Sequence, residues 1–437
     1  MSDSRTVAHG DAGARDAGPH GGTRAHAVVV GSGIGGLTAA VALHRRGWRV
    51  TVLERAASLG AVGAGIGLAP NALRALDVIG IGREIKELAA WQGDGGVRAP
   101  GGRWLSRSHS DLFAQRFGER LVMVHRALLI ERIAARLPEG ALRTGAPAEL
   151  VDPGTAGGRR ALVRTPRGDI EADLVVGADG IHSAVRRALF PGHPGPSYSG
   201  LTTWRTVVPA PARPFAPHES WGKGALWGTQ PLKDGRIYAY AAATAPAGTH
   251  APDSEKAELL RRFGDWHDPI PEILAATAPE GILRHDVHHM TTPLPAFHRG
   301  RTALLGDAAH AMAPTMGQGG NQAIEDGIVL AHHLPAHHLP APDGAGRTGA
   351  DRSGADPLGT GLAAYTADRL PRTTGIVRKS ARVVRLVSLT SAPAVAVRDG
   401  LMILAGYGPG LALRTFDGIA DWKPPQRTYA DQARRPA

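Results

Sequence analysis

AHAVVVGSGIGGLTAAVALHRRGWRVTVLE, residues 25–54, holds three patterns in succession. Ala27–Val30 is a short apolar run suited to a buried strand, residues 37–44 have the composition of a helix, and residues 49–53 form a second apolar run, so the stretch reads as a βαβ unit. Between first strand and helix, Gly31, Gly33 and Gly36 match G-x-G-x-x-G, with Ile34 among them. Gly31 permits the tight turn, Gly33 lets backbone approach a pyrophosphate, and Gly36 lets helix and strand pack closely. The helix N-terminus then offers amide donors to phosphate. Glu54 ends the second strand 18 residues after Gly36, the spacing at which a carboxylate accepts from an adenosine ribose. Arg55 beside it could favour a 2′-phosphate or lie over the adenine. This fingerprint alone does not separate NAD from FAD.

Composition narrows the class. With 437 residues the chain exceeds one ordinary core, so two packed domains or a domain with a large insert is expected. No apolar run approaches the ~18 residues a membrane span needs, and residues 1–24 lack the apolar core of a secretory signal, reading as a disordered leader. The chain has no cysteine, which excludes disulfides and thiolate metal sites and fits a cytoplasmic location. Fifty Lys and Arg against 39 Asp and Glu give +11, but the excess arginine is scattered rather than clustered and aromatics are 5%, which argues against nucleic acid.

Further along, residues 141–165 read as two strands around a loose 154–160 loop, and Asp169–Val176 as one more strand. From residue 197 to 243 short alternating segments, at 202–208, 224–227 and 236–243, predict an antiparallel sheet. Residues 301–305 return to a buried-strand pattern, and residues 321–334 carry Ile324, Ile328 and Ala331 at helical spacing. Residues 335–361, rich in Pro, Gly, Ala and Asp, read as a flexible linker. Helices are expected over 362–386 and 395–413. The resulting division is a nucleotide-binding domain of residues 25–74, 100–190 and 285–334, a substrate domain of residues 75–99 and 191–284, and a C-terminal helical region over 362–437.

Two later motifs carry chemistry. In Gly177–Arg186 a strand ends in the turn Asp179-Gly180 and a helix begins; Asp179 and Ser183 could simply cap it, with Arg186 as a nearby cation. In Gly306–Pro314 Asp307 stands at a strand end, placed to accept from a polyol chain. Gly317-Gln318-Gly319-Gly320-Asn321 then opens a helix whose amides suit an anion.

Taken in order, these three motifs resemble the single-component FAD-dependent aromatic hydroxylases, the para-hydroxybenzoate and salicylate hydroxylase-like family, from about Ala27 to Arg372. The resemblance implies an α/β fold: a Rossmann-type FAD-binding domain, an inserted antiparallel β-sheet substrate domain and C-terminal helices. It implies non-covalent FAD, NAD(P)H as a transient reductant, and insertion of one oxygen of dioxygen into a small aromatic or polyketide-like substrate through a flavin C4a-hydroperoxide, giving hydroxylation or epoxidation. On this resemblance Glu54 is the ribose acceptor, Arg126 lies by flavin and pyrophosphate, and Gly67 and Gly306 join the cofactor-binding glycines. Asp307 holds the ribityl or pyrophosphate, Gly317 to Asn321 cradle the flavin's carbonyl edge, and Pro314 lies at the ring. Asp179, Gly180 and Arg186 match a motif tied to both FAD and NAD(P)H. A monomer or homodimer is expected.

The substrate face is expected from the inserted sheet. Arg205 could orient a substrate carboxylate or phenolate, or equally form a salt bridge between domains; Tyr238 is a pocket candidate against ordinary core packing. Ala225 and Leu226 stand where relatives often carry an arginine, which suggests a more apolar pocket. His285, His288 and His289, and the pairs His332–His333 and His337–His338, lack further ligands at metal spacing. A reductase or oxidase on the same FAD scaffold is the alternative reading; a flavin-bound partner protein without turnover has no interaction segment in its favour.

Overall fold

The computed structural model describes residues 24–60, 64–91, 94–336, 356–408, 410 and 412–425. The leader expected over 1–24 lies outside these except for Arg24, as does most of the expected linker.

The opening βαβ unit forms as read. Strands His26–Val30 and Arg49–Leu53 pair in parallel, and the helix Ile34–Arg45 joins them. They belong to a six-stranded sheet in the order His298–Arg299, Thr302–Leu304, Leu174–Gly177, His26–Val30, Arg49–Leu53, Leu142–Arg143, parallel except for its first strand. Val28, Val29, Val52, Val175 and Val176 have no accessible surface, the continuous apolar reading of strands covered on both sides. Gly31 sits at φ +106°, and a Cβ there would fall 2.4 Å from the Ala178 carbonyl oxygen, so only glycine makes this turn. A Cβ on Gly36 would meet the Gly31 oxygen at 2.2 Å, the close helix–strand approach expected.

The inserted sheet has seven strands in the order Leu283–His289, Ser197–Pro209, Arg236–Thr244, Ala225–Pro231, His218–Trp221, Gly95–Arg98, Trp104–Ser108. Alternation gives it two faces. Trp204, Val208, Trp227, Ile237, Ala239 and Ala241 pack under the helices Glu255–Phe263 and Ile270–Ala276 through Leu259, Phe263, Ile270, Ile273 and Leu274. The other face, with Arg205, Tyr238 and Tyr240, turns towards the nucleotide-binding side.

Several expected boundaries move. Asp169–Val176 is two strands in different sheets, Gly168–Ala172 and Leu174–Gly177. They part at Asp173, whose nearly buried carboxylate accepts from the His26 amide at 2.8 Å and Arg160 Nε at 2.9 Å. Residues 141–165 hold three strands rather than two, because Leu142–Arg143 is captured by the edge of the parallel sheet. Residues 75–89, expected in the substrate domain, contribute Leu76, Val78, Ile79, Ile81 and Ile85 to the core of the parallel sheet. Conversely Trp104–Ser108 and most of Leu283–His289, expected with the nucleotide-binding part, are edge strands of the inserted sheet.

The last five residues of the expected linker are helical. Pro357–Val387 begins with proline in its first turn, and the Asp356 side chain accepts from the Leu358 amide, both features that start a helix. The next helix, Ala392–Gly406, ends earlier than residue 413, and Ala412–Phe416 is a short 3-10 turn.

Two alanine substitutions should move stability in opposite directions. Gly36→Ala forces a Cβ into backbone and is expected to lower the apoprotein's denaturation free energy by about 1–3 kcal/mol. Gly375→Ala, at an exposed helix position where nothing lies within 4 Å of a Cβ, should raise it by up to ~1 kcal/mol. Urea titration of the two variants measures both.

Candidate active site

Three elements converge where the C-terminal end of strand His26–Val30 meets the glycine-rich segment before helix Gly319–His333. Glu54 accepts from the Ser32 amide at 2.9 Å, the Ser32 hydroxyl at 2.7 Å and the Ala56 amide at 2.9 Å. Burial pushes its pKa up, but the bonds from Ala56 and Ser32 outweigh it and hold the carboxyl below its usual range, so it is ionised at neutral pH. It therefore also pins the glycine turn. A Cβ on Gly33 would meet nothing within 4 Å, and the same holds at Gly317, which has φ +61°. Both glycines thus border open space.

Asp307 starts the turn Asp307–His310 and is exposed by surface area, yet surrounding protein desolvates it enough to raise its pKa, with His310, Arg126 and Arg186 opposing. Arg126 shows the same pairing of accessibility and depth. Burial and the neighbouring Arg205 push its pKa down, while Asp307 and Tyr238 oppose. Groups that are accessible but deeply enclosed line a cleft, and Pro314 and Gly317 are exposed as well. Gly67, on strand Gly65–Leu68, is tied to this wall: Asn321 Nδ2 donates to its carbonyl at 2.9 Å and to that of Gly317 at 2.6 Å, while Asn321 Oδ1 accepts from the Ala69 amide.

Some expected ligand residues turn inward. Asn321 and Gln318 have buried side chains committed to protein partners, so only their backbone can face a cofactor. Arg186 is 3% exposed and donates to the carbonyls of Ala308 and Ile181 at 3.1 and 2.8 Å. It braces the turn before His310 rather than reaching the cleft. Asp179 takes the Ser183 hydroxyl and the amides of Ala184 and Val185, which makes it a helix cap beside the turn at Gly180, φ +77°. Arg55 is exposed on the rim.

Behind the cradle lies a charge cluster that the sequence analysis missed. Glu325 and Asp326 have no accessible surface and sit within a helix otherwise read by its apolar period. Arg369, 1% exposed, donates Nε to Asp326 Oδ1 at 2.7 Å and a second nitrogen to Glu325. Arg372 adds two bonds to Glu325 at 2.8 and 2.9 Å. The other Asp326 oxygen accepts from the Gly306 amide at 2.8 Å and lies 2.6 Å from His310 Nε2. Despite burial, these partners hold both carboxyls below their ordinary range. The signal that could have found them is a Glu-Asp pair flanked by Ile324 and Ile328, since buried charges need partners.

On the sheet side, Arg205 lies 3.0 Å through Nη2 from His285 Nδ1 and is hydrogen-bonded to Tyr238. Tyr238 is 8% exposed, with its ring against Gly65, so it is both core and site wall. His285 is thus an arginine partner, and among the described residues no group of three or more His, Cys, Asp or Glu could hold a metal.

A dinucleotide turn joined to a second, glycine-cradled cleft and roofed by an antiparallel sheet defines a flavoprotein monooxygenase of para-hydroxybenzoate hydroxylase-like fold. A family model described as an FAD binding domain matches residues 24–343. Aurachin C monooxygenase/isomerase of Stigmatella aurantiaca is 36% identical over 378 residues, covering 86% of this chain and 93% of the relative. The 3-amino-4-hydroxybenzoate 2-monooxygenase of Streptomyces cremeus is 31% identical over 393 residues, covering 86% and 90%. HpxO of Klebsiella pneumoniae, solved with FAD and uric acid, superposes with a TM-score of 0.77 at 25% identity, covering 91% of this chain and 97% of that one. The chain belongs to the FAD-binding-domain family of FAD-dependent monooxygenases.

Cradle and support should separate in two variants. Gly33→Ala adds a methyl to open space at a helix N-cap and is expected to cost the apoprotein about 0.5–1 kcal/mol while weakening FAD binding by at least about tenfold, if one phosphate-amide contact is lost. Arg369→Ala leaves buried Asp326 without its arginine and Glu325 with Arg372 alone, and should cost about 3–5 kcal/mol. Fluorescence titration with FAD reads the first, and denaturant unfolding the second.

Proposed function

We propose that this protein uses NAD(P)H and dioxygen to hydroxylate or epoxidise a ring-containing small molecule held between the Pro314 turn and the flavin-facing side of the seven-stranded sheet. The observation that carries this reading is that Arg126 lies within electrostatic reach of Asp307 on the cofactor side and of Arg205 and Tyr238 on the sheet side. Cofactor loops and sheet residues share one electrostatic environment there. FAD, when bound, supplies the redox chemistry, accepting hydride from NAD(P)H and activating dioxygen. One oxygen atom enters the substrate and the other leaves as water.

The chain's own residues position and exclude. Glu54 holds the adenosine ribose with the oxygen lone pairs that Ser32 and Ala56 leave free. The backbone from Gly317 to Asn321 presents amides to the flavin's carbonyl edge, where negative charge develops on reduction. Asp307 accepts from the ribityl chain, and Arg126 supplies a positive charge beside it. Arg205, held by His285 and Tyr238, orients an oxygen-bearing group of the substrate through directional N–H donors. The packed sheet above and the Pro314 turn below keep water from the reacting centre.

The names of the relatives include an aurachin C monooxygenase/isomerase and a 3-amino-4-hydroxybenzoate 2-monooxygenase, and we read the present substrate as aromatic or polyketide-like in the same broad sense. A cysteine-free chain that draws on reduced nicotinamide suits the cytoplasm. Among the described residues no helix is long and apolar enough to cross a membrane.

The direct test supplies FAD-loaded protein with NAD(P)H and isotopically labelled dioxygen over a panel of phenols and fused-ring aromatics. Label in the product with substrate-stimulated NAD(P)H oxidation is expected. In Arg205→Gln, product formed per NAD(P)H should fall by about tenfold, the loss of one charge-assisted hydrogen bond, with FAD content unchanged. Oxidation of NAD(P)H without labelled product from any ring compound would overturn the reading.

A further inference from the structure

Strand register places a row of four residues across the flavin-facing side of the inserted sheet. Arg205 stands opposite Tyr240, Tyr240 opposite Gly228, and Gly228 opposite Glu219. Residues directly opposite one another across a sheet point to the same face. The row spans three strand spacings, about 14 Å between its end backbones.

Its middle is flat because Gly228 has no side chain. A Cβ there would fall 2.1 Å from the Tyr240 ring. The ring therefore lies over Gly228, and its hydroxyl donates to Glu219 Oε1 at 2.6 Å. Trp221 Nε1 donates to the other oxygen at 2.8 Å, and Gln230 hydrogen-bonds the Tyr240 oxygen. The Tyr238 and Tyr240 rings are in contact, with centroids 5.4 Å apart, which joins this half of the face to the Arg205–Tyr238 half.

Glu219 is a carboxyl in an enclosed place whose two partners are neutral donors. Arg398, which lies over the Trp221 ring, is committed to the Gly222 carbonyl and to Asp399. No charge offsets the desolvation of Glu219, which pushes its pKa up. Glu219 and Tyr240 nonetheless keep partial access to solvent, as Asp307 and Arg126 do, so they line the same kind of enclosed cleft. Tyr240 also packs against the cluster containing Trp221, Leu226, Ala242 and Ala313, the residue before Pro314. An acceptor with spare lone pairs, no cation and an apolar surround is completed by a ligand's N–H or O–H, and repels a ligand's carboxylate.

We propose that Glu219, with Tyr240, is the acceptor end of the substrate face, and that it selects fused-ring substrates bearing an N–H or phenolic O–H at the end remote from Arg205. The proposal rests on reading this face as the substrate site. Arg205, beside Arg126 and Asp307, marks the flavin end, and the length of the row suits two or three fused rings better than one. Glu219 acts as a specificity-determining residue; no step of oxygen transfer is assigned to it.

The test uses FAD-loaded protein without NAD(P)H, titrated with 2-naphthol, 2-methoxynaphthalene and 2-naphthoate, reading the perturbation of the flavin visible spectrum. The wild-type protein is expected to bind 2-naphthol at least about tenfold tighter than either comparison compound, the effect of one hydrogen bond to an enclosed carboxyl. Glu219→Gln, which can donate as well as accept, should reduce the naphthol-to-naphthoate preference by about tenfold. Tyr240→Phe, which keeps the ring over Gly228, should reduce it less, by about threefold. FAD content and unfolding midpoint establish that each variant is folded. A wild-type preference below about threefold, an unchanged preference in Glu219→Gln, or no binding of any of the three overturns the proposal. Selective binding without oxygenated product would count against the oxygenase reading alone, and turnover without selectivity against this inference alone.

Discussion

The buried pairing of Glu325 and Asp326 with Arg369 is the constraint on which the cofactor side depends. Two adjacent carboxylates without accessible surface would be prohibitively costly alone, and even paired they gain little over a hydrophobic core. What they add is position. Asp326 holds the Gly306 amide and His310, which fixes the turn carrying Asp307, while Glu325 receives Asn71 Nδ2 at 2.7 Å from the helix that follows strand Gly65–Leu68. Arg369 and Arg372 come from helix Pro357–Val387, so the C-terminal region is built into the cradle rather than laid over it. A hydrophobic cluster could match the stability but not the directional bonds to a glycine turn.

The sheet side follows a different logic. Its buried face is sealed by tryptophan, phenylalanine and aliphatic packing beneath two helices, which leaves the opposite face free to vary without unfolding the domain. On that free face the polar residues stay in hydrogen-bonded sets, His285–Arg205–Tyr238 and Gln230–Tyr240–Glu219–Trp221, so their side chains are oriented before any ligand arrives. A binding surface organised in this way loses less conformational entropy on association. The rigid cradle and the ordered face thus share one feature, side chains fixed by protein partners in advance of any ligand.

How much of this was legible in the sequence depends on how local each cause is. The turn Gly31 to Gly36 and its partner Glu54 are decided within 30 residues by sterics and spacing, and they stand where the pattern put them. The inserted sheet was visible through alternation at 202–208 and 236–243. Strand membership was not, because Trp104–Ser108 and Leu283–His289 are recruited to sheet edges by partners far along the chain. Asp173 broke an expected strand for a reason lying 147 residues away, at the His26 amide. Local helix and cap chemistry was ambiguous in the right way: Asp179 could be read as a cap or as a ligand, and its side chain is spent on the cap.

The residues hardest to read were those whose role comes from being enclosed. Glu219 and Glu325 are both glutamates in unremarkable local sequence, yet one is answered by two arginines and the other by a phenol and an indole. The contrast follows from topology. Glu325 lies between two helices, where long cationic side chains can reach across 44 residues of sequence to Arg369. Glu219 lies on a strand whose facing neighbour is Gly228, and the Tyr240 ring crosses that gap. Where the fold supplies a cation, the carboxylate becomes a structural anchor with its charge fully answered. Where it supplies only neutral donors, the carboxylate keeps its capacity to accept, and the same side chain that would be a strut elsewhere is left as a surface for a ligand to complete.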